Sequence, residues 1–190
     1  MTIDEIFSEL SEHMIYGIMT HEELARGYAF LGLPKYSECH CYHYLKETMS
    51  HIRLNNYYTY HFNKLIDERK IDIPKVIPDS WYRYMRQDVD AATKRNSVKA
   101  GLEKWVAWER ETKKLYEKMY KELIDINEIA AAMFVKELIC DVDCELKKAE
   151  RYHLNKLATG YDIVDIIEEQ SKKHDKYKKK IENIGECYGH

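Results

Sequence analysis

The sequence predicts one all-α domain, built as a four-helix bundle with an additional helix at its carboxyl end. Only 7 Gly and 3 Pro occur among the 190 residues, and every proline precedes residue 79, so long stretches contain nothing that interrupts a helix. Apolar residues recur at steps of three and four along four long segments. A chain of this length can bury a core without disulfide or metal cross-links, so residues 1–190 are expected to form a single unit.

The first two helices are predicted to form an antiparallel hairpin. Helix A is expected to run from about residue 2 or 4 to Leu31, because apolar side chains share one face over this range. Gly32 can adopt the left-handed conformation that ends a helix, and Pro34 suits the first turn of the next one. Helix B is expected to run from Pro34 to about Arg69.

A long crossover is predicted to follow helix B. The segment after Arg69, KIDIPKVIPDS, combines β-branched residues with two prolines and is typical of extended chain. About 20 residues separate helix B from the next strongly periodic segment, which is enough to cross the bundle. Helix C is expected to begin between Ser80 and Ser97 and to end near Ile126, with residues 81–96 as a candidate short helix of their own.

Helix D is predicted to run from about Glu128 to Ala158, after a tight turn that makes helices C and D the second hairpin. The bundle core therefore spans about residues 3–158. An apolar set followed by a lysine-rich tract predicts a largely exposed C-terminal helix over about residues 161–184.

Composition excludes several classes of protein. The formal net charge is −3, with acids and bases interspersed, so no basic stripe offers itself to nucleic acid or to an anionic membrane. The amino terminus, MTIDEIFSEL, does not resemble a signal peptide, and no apolar run is long enough to span a bilayer. We therefore expect a cytoplasmic protein. The five cysteines lack paired CxxC spacing and are expected to be free thiols: Cys39, Cys41, Cys140, Cys144 and Cys187.

Three acids interrupt the apolar faces of helices C and D. Glu109 lies near the middle of the helix C face, and Asp141 and Glu145 stand one turn apart on helix D. If the turn near residue 126 folds C against D, Glu109 lies level with residues near 143, between the other two acids. Converging carboxylates repel one another, so only shared protons or a cation would hold them inside the bundle. The sequence therefore predicts a metal site.

Helices A and B supply further candidate ligands. Glu47 and His51 are one turn apart on helix B, and reflection about the Gly32 turn places them level with residues 13 to 20, which makes His13 the best-placed ligand on helix A. Gly17 is expected to leave space opposite helix B. The other histidines of these helices are expected to lie partly at the surface and partly in core hydrogen bonds: His21, His40, His43 and His61.

These features resemble the ferritin-like superfamily over about residues 10–157. The local matches are GLPKY at 32–36 followed by YLKETMSH at 44–51, VAWERETKKLYEKM at 106–119 and FVKELICDVDCE at 134–145. The resemblance implies two antiparallel hairpins joined by a long crossover, with carboxylate and histidine ligands at the bundle centre. The family's second helix carries ExxH, whereas Glu47 and His51 follow an ExxxH spacing, so either one ligand is displaced or the helix contains a bulge.

The resemblance implies a non-haem diiron protein, with a single ion, or Mn or Zn in place of iron, as alternatives. The predicted ligands are Glu47, His51, Glu109, Asp141, Glu145 and His13. Ferroxidase activity or oxygen-dependent oxidation of a small-molecule substrate is expected, with a homo-oligomer, a dimer or larger, as the assembly and metal ions as the partners. The alternative is a metal-free bundle that acts as a binding protein, in which bases such as Lys113 and Lys148 pair with the acids.

Overall fold

The prediction of an all-α bundle is confirmed. The computed structural model describes residues 1–66, 89–171, 177, 179–181 and 183, and every regular element within these ranges is a helix. The five helices are α1 (Ile3–Phe30), α2 (Pro34–Phe62), α3 (Ala91–Asp125), α4 (Ile129–Ala158) and α5 (Ile163–Ser171). Helix α1 packs chiefly on α2, and α3 on α4, as the two predicted hairpins require.

Local sequence signals set the helix ends of the first hairpin. Thr2 and Glu5 form a reciprocal capping box at the start of α1. Gly32 has a φ of 71° in the turn, and this left-handed conformation is easily adopted by glycine because it has no Cβ. Pro34 occupies the first turn of α2. The amide of Leu33 bonds to the carbonyl oxygen of Tyr28, which closes the turn.

Helix α2 ends earlier than predicted. Asn63 adopts the left-handed conformation, with φ 51° and ψ 41°, and its amide bonds to the carbonyl oxygen of Thr59, so the helix stops at Phe62 instead of reaching Arg69. The next described helix, α3, begins at Ala91, and the predicted extended segment between the two helices lies outside the described residues. Asp90 caps α3, and residues 91–96 of the candidate short helix belong to α3, whereas its residues 81–88 lie outside the described part of the chain.

The C-terminal helix is more firmly docked than predicted. Ile166 of α5 is fully buried, and it packs with Tyr161 against the end of the bundle near the first hairpin turn. The buried ammonium group of Lys156 lies 2.8 Å from carboxylate oxygens of both Asp165 and Glu169. Most of residues 172–190 lie outside the described part of the chain, and Cys187 is among them. The four described cysteines are free, as predicted.

Two apolar clusters fill the bundle, one towards each end. The first includes Tyr28, Leu102 and Trp105, and the second includes Phe7, Leu54 and Met119. A middle layer separates the two clusters. In each of the four long helices, the short stretch that crosses this layer has polar side chains among its buried ones. The buried polar and charged side chains of this middle layer are Thr20, His21, His40, His43, Glu109, Thr112 and Glu145. The middle layer is therefore the place to look for chemistry.

Candidate metal centre

Four predicted acids line one half-open pocket in the middle layer. Glu47 comes from α2, Glu109 from α3, and Asp141 and Glu145 from α4. The antiparallel hairpin of α3 and α4 brings Glu109 level with residues 141–145, as its distance from the turn requires. The remaining side chains of the pocket are Lys46, Ser50, Thr112, Tyr116, Leu138 and Val142.

Glu109 and Glu47 are the acids that burial perturbs most. Glu109 is 2% exposed, and its Oε1 accepts a 2.9 Å hydrogen bond from Nε1 of Trp105. Burial, together with the charge of Glu47, raises the pKa of Glu109 to about 8. Burial likewise raises the pKa of Glu47 to about 7. Within the described residues, no lysine or arginine forms an ion pair with either carboxyl group. Near neutral pH Glu109 therefore keeps its proton, and Glu47 is about half protonated, unless a cation replaces the protons.

Glu145 is equally buried but has partners of opposite charge. Its Oε1 lies 2.7 Å from Nζ of Lys46 and 2.8 Å from Nζ of Lys148. Burial acts to raise the pKa of Glu145, but the two ammonium groups outweigh burial and lower it. Of the two bases that the metal-free alternative named, Lys148 does pair with a predicted ligand, whereas Lys113 lies 2.6 Å from Asp143 instead.

Asp141 lies at the edge of the pocket and not in the interior as expected. Its side chain is 52% exposed, and Oδ2 lies 3.9 Å from Nη1 of Arg53, a distance at which a surface ion pair is weak. Asp141 and Glu145 are four residues apart on one face of α4, so one sits deep and the other near solvent. Of the three acids expected to meet inside the bundle, two are buried.

His51 is turned away from the acids. Its Nε2 lies 2.8 Å from Oγ of Ser11 on α1 and 3.1 Å from Nδ2 of Asn55. Helix α2 is a regular α-helix from Pro34 to Phe62, so no bulge corrects the ExxxH spacing. Ser50, three residues after Glu47, points into the pocket in place of a histidine. Its hydroxyl is a weaker metal ligand than an imidazole.

His13 is also engaged elsewhere. Its Nε2 lies 2.8 Å from Oγ1 of Thr112, and its ring stacks on Trp108 with centroids 4.3 Å apart. Trp108 also fills the space beside Gly17, where an added Cβ would lie 2.7 Å from Cζ2 of the indole. The expectation that Gly17 leaves space opposite helix B is therefore wrong, because the indole ring of Trp108 from α3 fills that space.

As the side chains stand, no three His, Cys, Asp or Glu residues in the described ranges are arranged as a ready metal site. The fit to a metal is thus selective. Glu109, which is buried, and Glu47, which is half-buried, fit, since both are hard oxygen donors that form no ion pair with a described lysine or arginine. Glu145 is paired with two lysines, and His51 and His13 bond to other partners. The sequence analysis did not predict Lys46 and Ser50 as pocket residues. Lys46 is adjacent to Glu47 and Ser50 lies about one helical turn after it, so their positions place both near the same pocket.

Comparison with solved structures decides the fold. An engineered closed form of the Archaeoglobus fulgidus ferritin superposes with a TM-score of 0.72 at 13% identity, covering 92% of this chain and 98% of the other. A humanized archaeal ferritin gives 0.74 at 14% identity, covering 90% and 96%. The fold is ferritin-like. No protein-family model matches the sequence, and no curated protein is significantly similar to it.

The ferritin-like fold explains the position of the pocket. Its acids come from α2, α3 and α4 at the centre of the bundle, where side chains on facing helices of such bundles build metal sites. The described part of the chain includes no helix whose length and apolar character would let it cross a membrane.

Proposed function

We propose that the protein is a non-haem metal-binding protein that takes one divalent cation, preferably Fe(II), at Glu47 and Glu109. The observation that carries the proposal is that these two carboxyl groups share a pocket inside a ferritin-like bundle, and that among the described residues neither forms an ion pair, because Lys46 of the same pocket is paired with Glu145. A buried carboxylate is costly unless it is paired, so the pocket is balanced either by protons or by a cation.

The ligand chemistry favours a hard ion. Carboxylate oxygens from Glu47 and Glu109 suit Fe(II) or Mn(II), and Asp141 at the pocket edge offers a third oxygen from α4. Arg53 does not hold Asp141 tightly, because the two groups are 3.9 Å apart and partly exposed. The half-open pocket leaves the remaining coordination positions to water or to a substrate.

One ion fits better than two. A second ion needs a bridging or terminal carboxylate and an imidazole, but Glu145 is paired with Lys46 and Lys148. His51 is bonded to Ser11, and His13 to Thr112. Freeing any of these groups costs an existing hydrogen bond or ion pair.

Were Fe(II) bound there, each ion would supply one electron, so four Fe(II) ions oxidised in successive turnovers would, with four protons, reduce one O2 to two waters. We propose this oxidation of Fe(II) by oxygen as the activity, or the two-electron oxidation of a small molecule admitted through the pocket mouth, with reduction of O2 to hydrogen peroxide. Tyr116 lines the pocket, and burial raises its pKa well above the usual value, so its phenol stays protonated and is available as a hydrogen-bond donor. Thr112 offers a second hydroxyl there, although it also bonds to the carbonyl oxygen of Trp108.

Anaerobic titration with Fe(II) or Mn(II) tests the proposal. The wild type should bind one ion per chain, and E109Q and E47Q should each lower the affinity by at least about tenfold. In E109Q the amide oxygen can still accept the bond from Trp105, so the fold should survive. E111Q, which changes an exposed acid on the same helix, is the matched control. Unchanged affinity in both pocket variants would remove the site.

The paired state of Glu145 favours a second candidate, a metal-free bundle that binds a partner. In that case the wild type should bind no metal ion in a one-to-one ratio. E109Q should then raise the free energy of unfolding and leave partner binding unchanged. A storage role additionally requires a hollow assembly, so we propose native mass measurement alongside: a mass near that of the 22.8 kDa chain excludes storage and leaves the single-ion proposal intact.

A further inference from the structure

Lys46 places a positive charge inside the acid pocket. It precedes Glu47 on α2 and lines the same pocket as the four acids. Its side chain is 28% exposed, and its Nζ lies 2.7 Å from Oε1 of Glu145 on α4. The ammonium group therefore joins two helices at the place where the carboxyl groups meet.

The charge of Lys46 acts on all four acids and not on its ion-pair partner alone. Burial raises the pKa of both Glu47 and Glu109, and the positive charge of Lys46 opposes that increase. The negative charge of Asp141 acts on Lys46 in turn, although the ion pair of Lys46 is with Glu145. One ammonium group is thus a counter-charge that four carboxyl groups share, as a metal ion is in a carboxylate site.

Lys148 bonds to the same carboxylate from a different position. Its Nζ lies 2.8 Å from Oε1 of Glu145, but it stands three residues after Glu145 on α4, and its side chain is 47% exposed. Lys148 does not line the pocket, whereas Lys46 does. A comparison of the two lysines therefore separates the effect of a charge inside the pocket from that of an ordinary ion pair.

The charges of the pocket balance with one dication and not with two. Four ionised carboxylates carry four negative charges, and Lys46 and Lys148 supply two positive ones. Arg53 adds little, because it lies 3.1 Å from Glu137 and 3.9 Å from Asp141. One divalent ion completes the balance, whereas a second would leave an excess of two positive charges in a site partly removed from water. The cavity, about 20 Å³, likewise has room for one ion or one water molecule.

We propose that Lys46 is a tethered cation that takes the place of a second metal ion and limits the acid pocket to one dication. The inference rests on the proposed function, because it concerns the ion held by Glu47 and Glu109. Lys46 acts through its charge: it neutralises Glu145, which would otherwise be free to bridge two ions, and it repels a dication that approaches Asp141. The number of ions is therefore set by a residue adjacent to a ligand.

Calorimetric titration with Mn(II), with electron paramagnetic resonance of the same samples, measures the number and the affinity of the ions. The wild type should bind one ion. K46M, which keeps the length of the side chain and removes its charge, should bind that ion at least about tenfold more tightly. K46R restores the charge and should behave as the wild type does. K148M is the matched control, and it should change the affinity less than about threefold, because its charge is half exposed to solvent.

The double variant K46M/K148M extends the test to the number of ions. Neither lysine then opposes a dication, so two Mn(II) ions that share carboxylates should bind and give the resonance of a coupled pair. A purely structural ion pair has a different signature, which is a lower free energy of unfolding in K46M at unchanged Mn(II) affinity. K46Q replaces K46M if that variant does not fold, because an amide at this position can still donate to Glu145.

Three results would overturn the inference and leave the proposed function in place. They are a single ion that folded K46M or K46Q binds no more tightly than the wild type, a K46R variant that resembles K46M, and a folded double variant that still binds one ion. Absence of Mn(II) binding by both the folded wild type and folded K46M would instead remove the proposed function, and this inference with it.

Discussion

The acid pocket and the cluster of buried histidines in the middle layer, His21, His40 and His43, respond to burial in opposite ways. In the pocket, burial raises the pKa of Glu109 to about 8, so the carboxyl group keeps its proton at neutral pH. In the cluster, burial lowers the pKa of His21 to about 4, so the imidazole stays without its second proton. Both side chains are therefore neutral near pH 7, because the bundle interior disfavours charge of either sign.

Glu145 belongs to both regions, and its removal should produce the largest effect. E145Q leaves Lys46 and Lys148 without their shared carboxylate and exposes His43 to their charge, so we expect a loss of about 2 kcal/mol in the free energy of unfolding. Urea unfolding measures it. The control is E150Q, which removes an exposed carboxylate on the same helix that pairs with Arg110, and it should change stability little. Equal effects of the two variants would contradict the buried role of Glu145.

The free energy of unfolding should fall towards both high and low pH. The fall at high pH, the alkaline flank, comes from the acid pocket, and the fall at low pH, the acid flank, comes from the histidines. Glu109 binds its proton more tightly in the folded state, so its contribution is full below pH 4.5 and is lost as pH rises through about 8. His21 binds its proton less tightly when folded, so its contribution is full above pH 6.5 and is lost as pH falls through about 4. His13 adds to the acid flank for the same reason.

Urea unfolding of metal-free protein between pH 4 and 9 tests these flanks. Stability should be greatest near pH 6 and should change by about 1 to 3 kcal/mol on either side. E109Q should make the alkaline flank shallower without abolishing it, because burial also raises the pKa of Glu47, to about 7, and it should leave the acid flank in place. An alkaline flank unchanged in E109Q would show that the Glu109 carboxyl group is already ionised in the folded protein.

Metal binding at the acid pocket should release protons. Mn(II) should displace about one proton near pH 7, because Glu47 and Glu109 have pKa values of about 7 and 8. Calorimetry in two buffers of different ionisation enthalpy measures the release. A binding heat that does not depend on the buffer would show that both carboxyl groups are already ionised before the ion binds.

Most of the fold followed from hydrophobic periodicity and cap residues. Gly32 with Pro34 placed the first turn correctly, because both residues act through the backbone alone. The end of α2 was missed, since the left-handed Asn63 gives only a weak signal in sequence. The docking of α5 was missed because the salt bridges of Lys156 join residues from two elements, and single-helix patterns do not report such contacts.

The candidate site was predicted in part. Distance from the turn brought Glu109 level with Asp141 and Glu145, which is simple helix geometry. The spacing also tied His51 to Glu47, but the ring bonds to Ser11 of α1, a contact between two helices that spacing along one helix does not report. The pairing of Glu145 with Lys46 across two helices depends on side-chain conformation, which periodicity does not determine.

We propose above all that Glu47 and Glu109 hold a divalent ion in the middle of a ferritin-like bundle. A crystal of the protein soaked in Mn(II), with anomalous diffraction recorded at the manganese edge, tests this most directly. We expect one strong peak within about 2.0 to 2.6 Å of oxygens from both carboxyl groups. Well-ordered Glu47 and Glu109 side chains with no peak between them, in a crystal that binds manganese elsewhere, would contradict it.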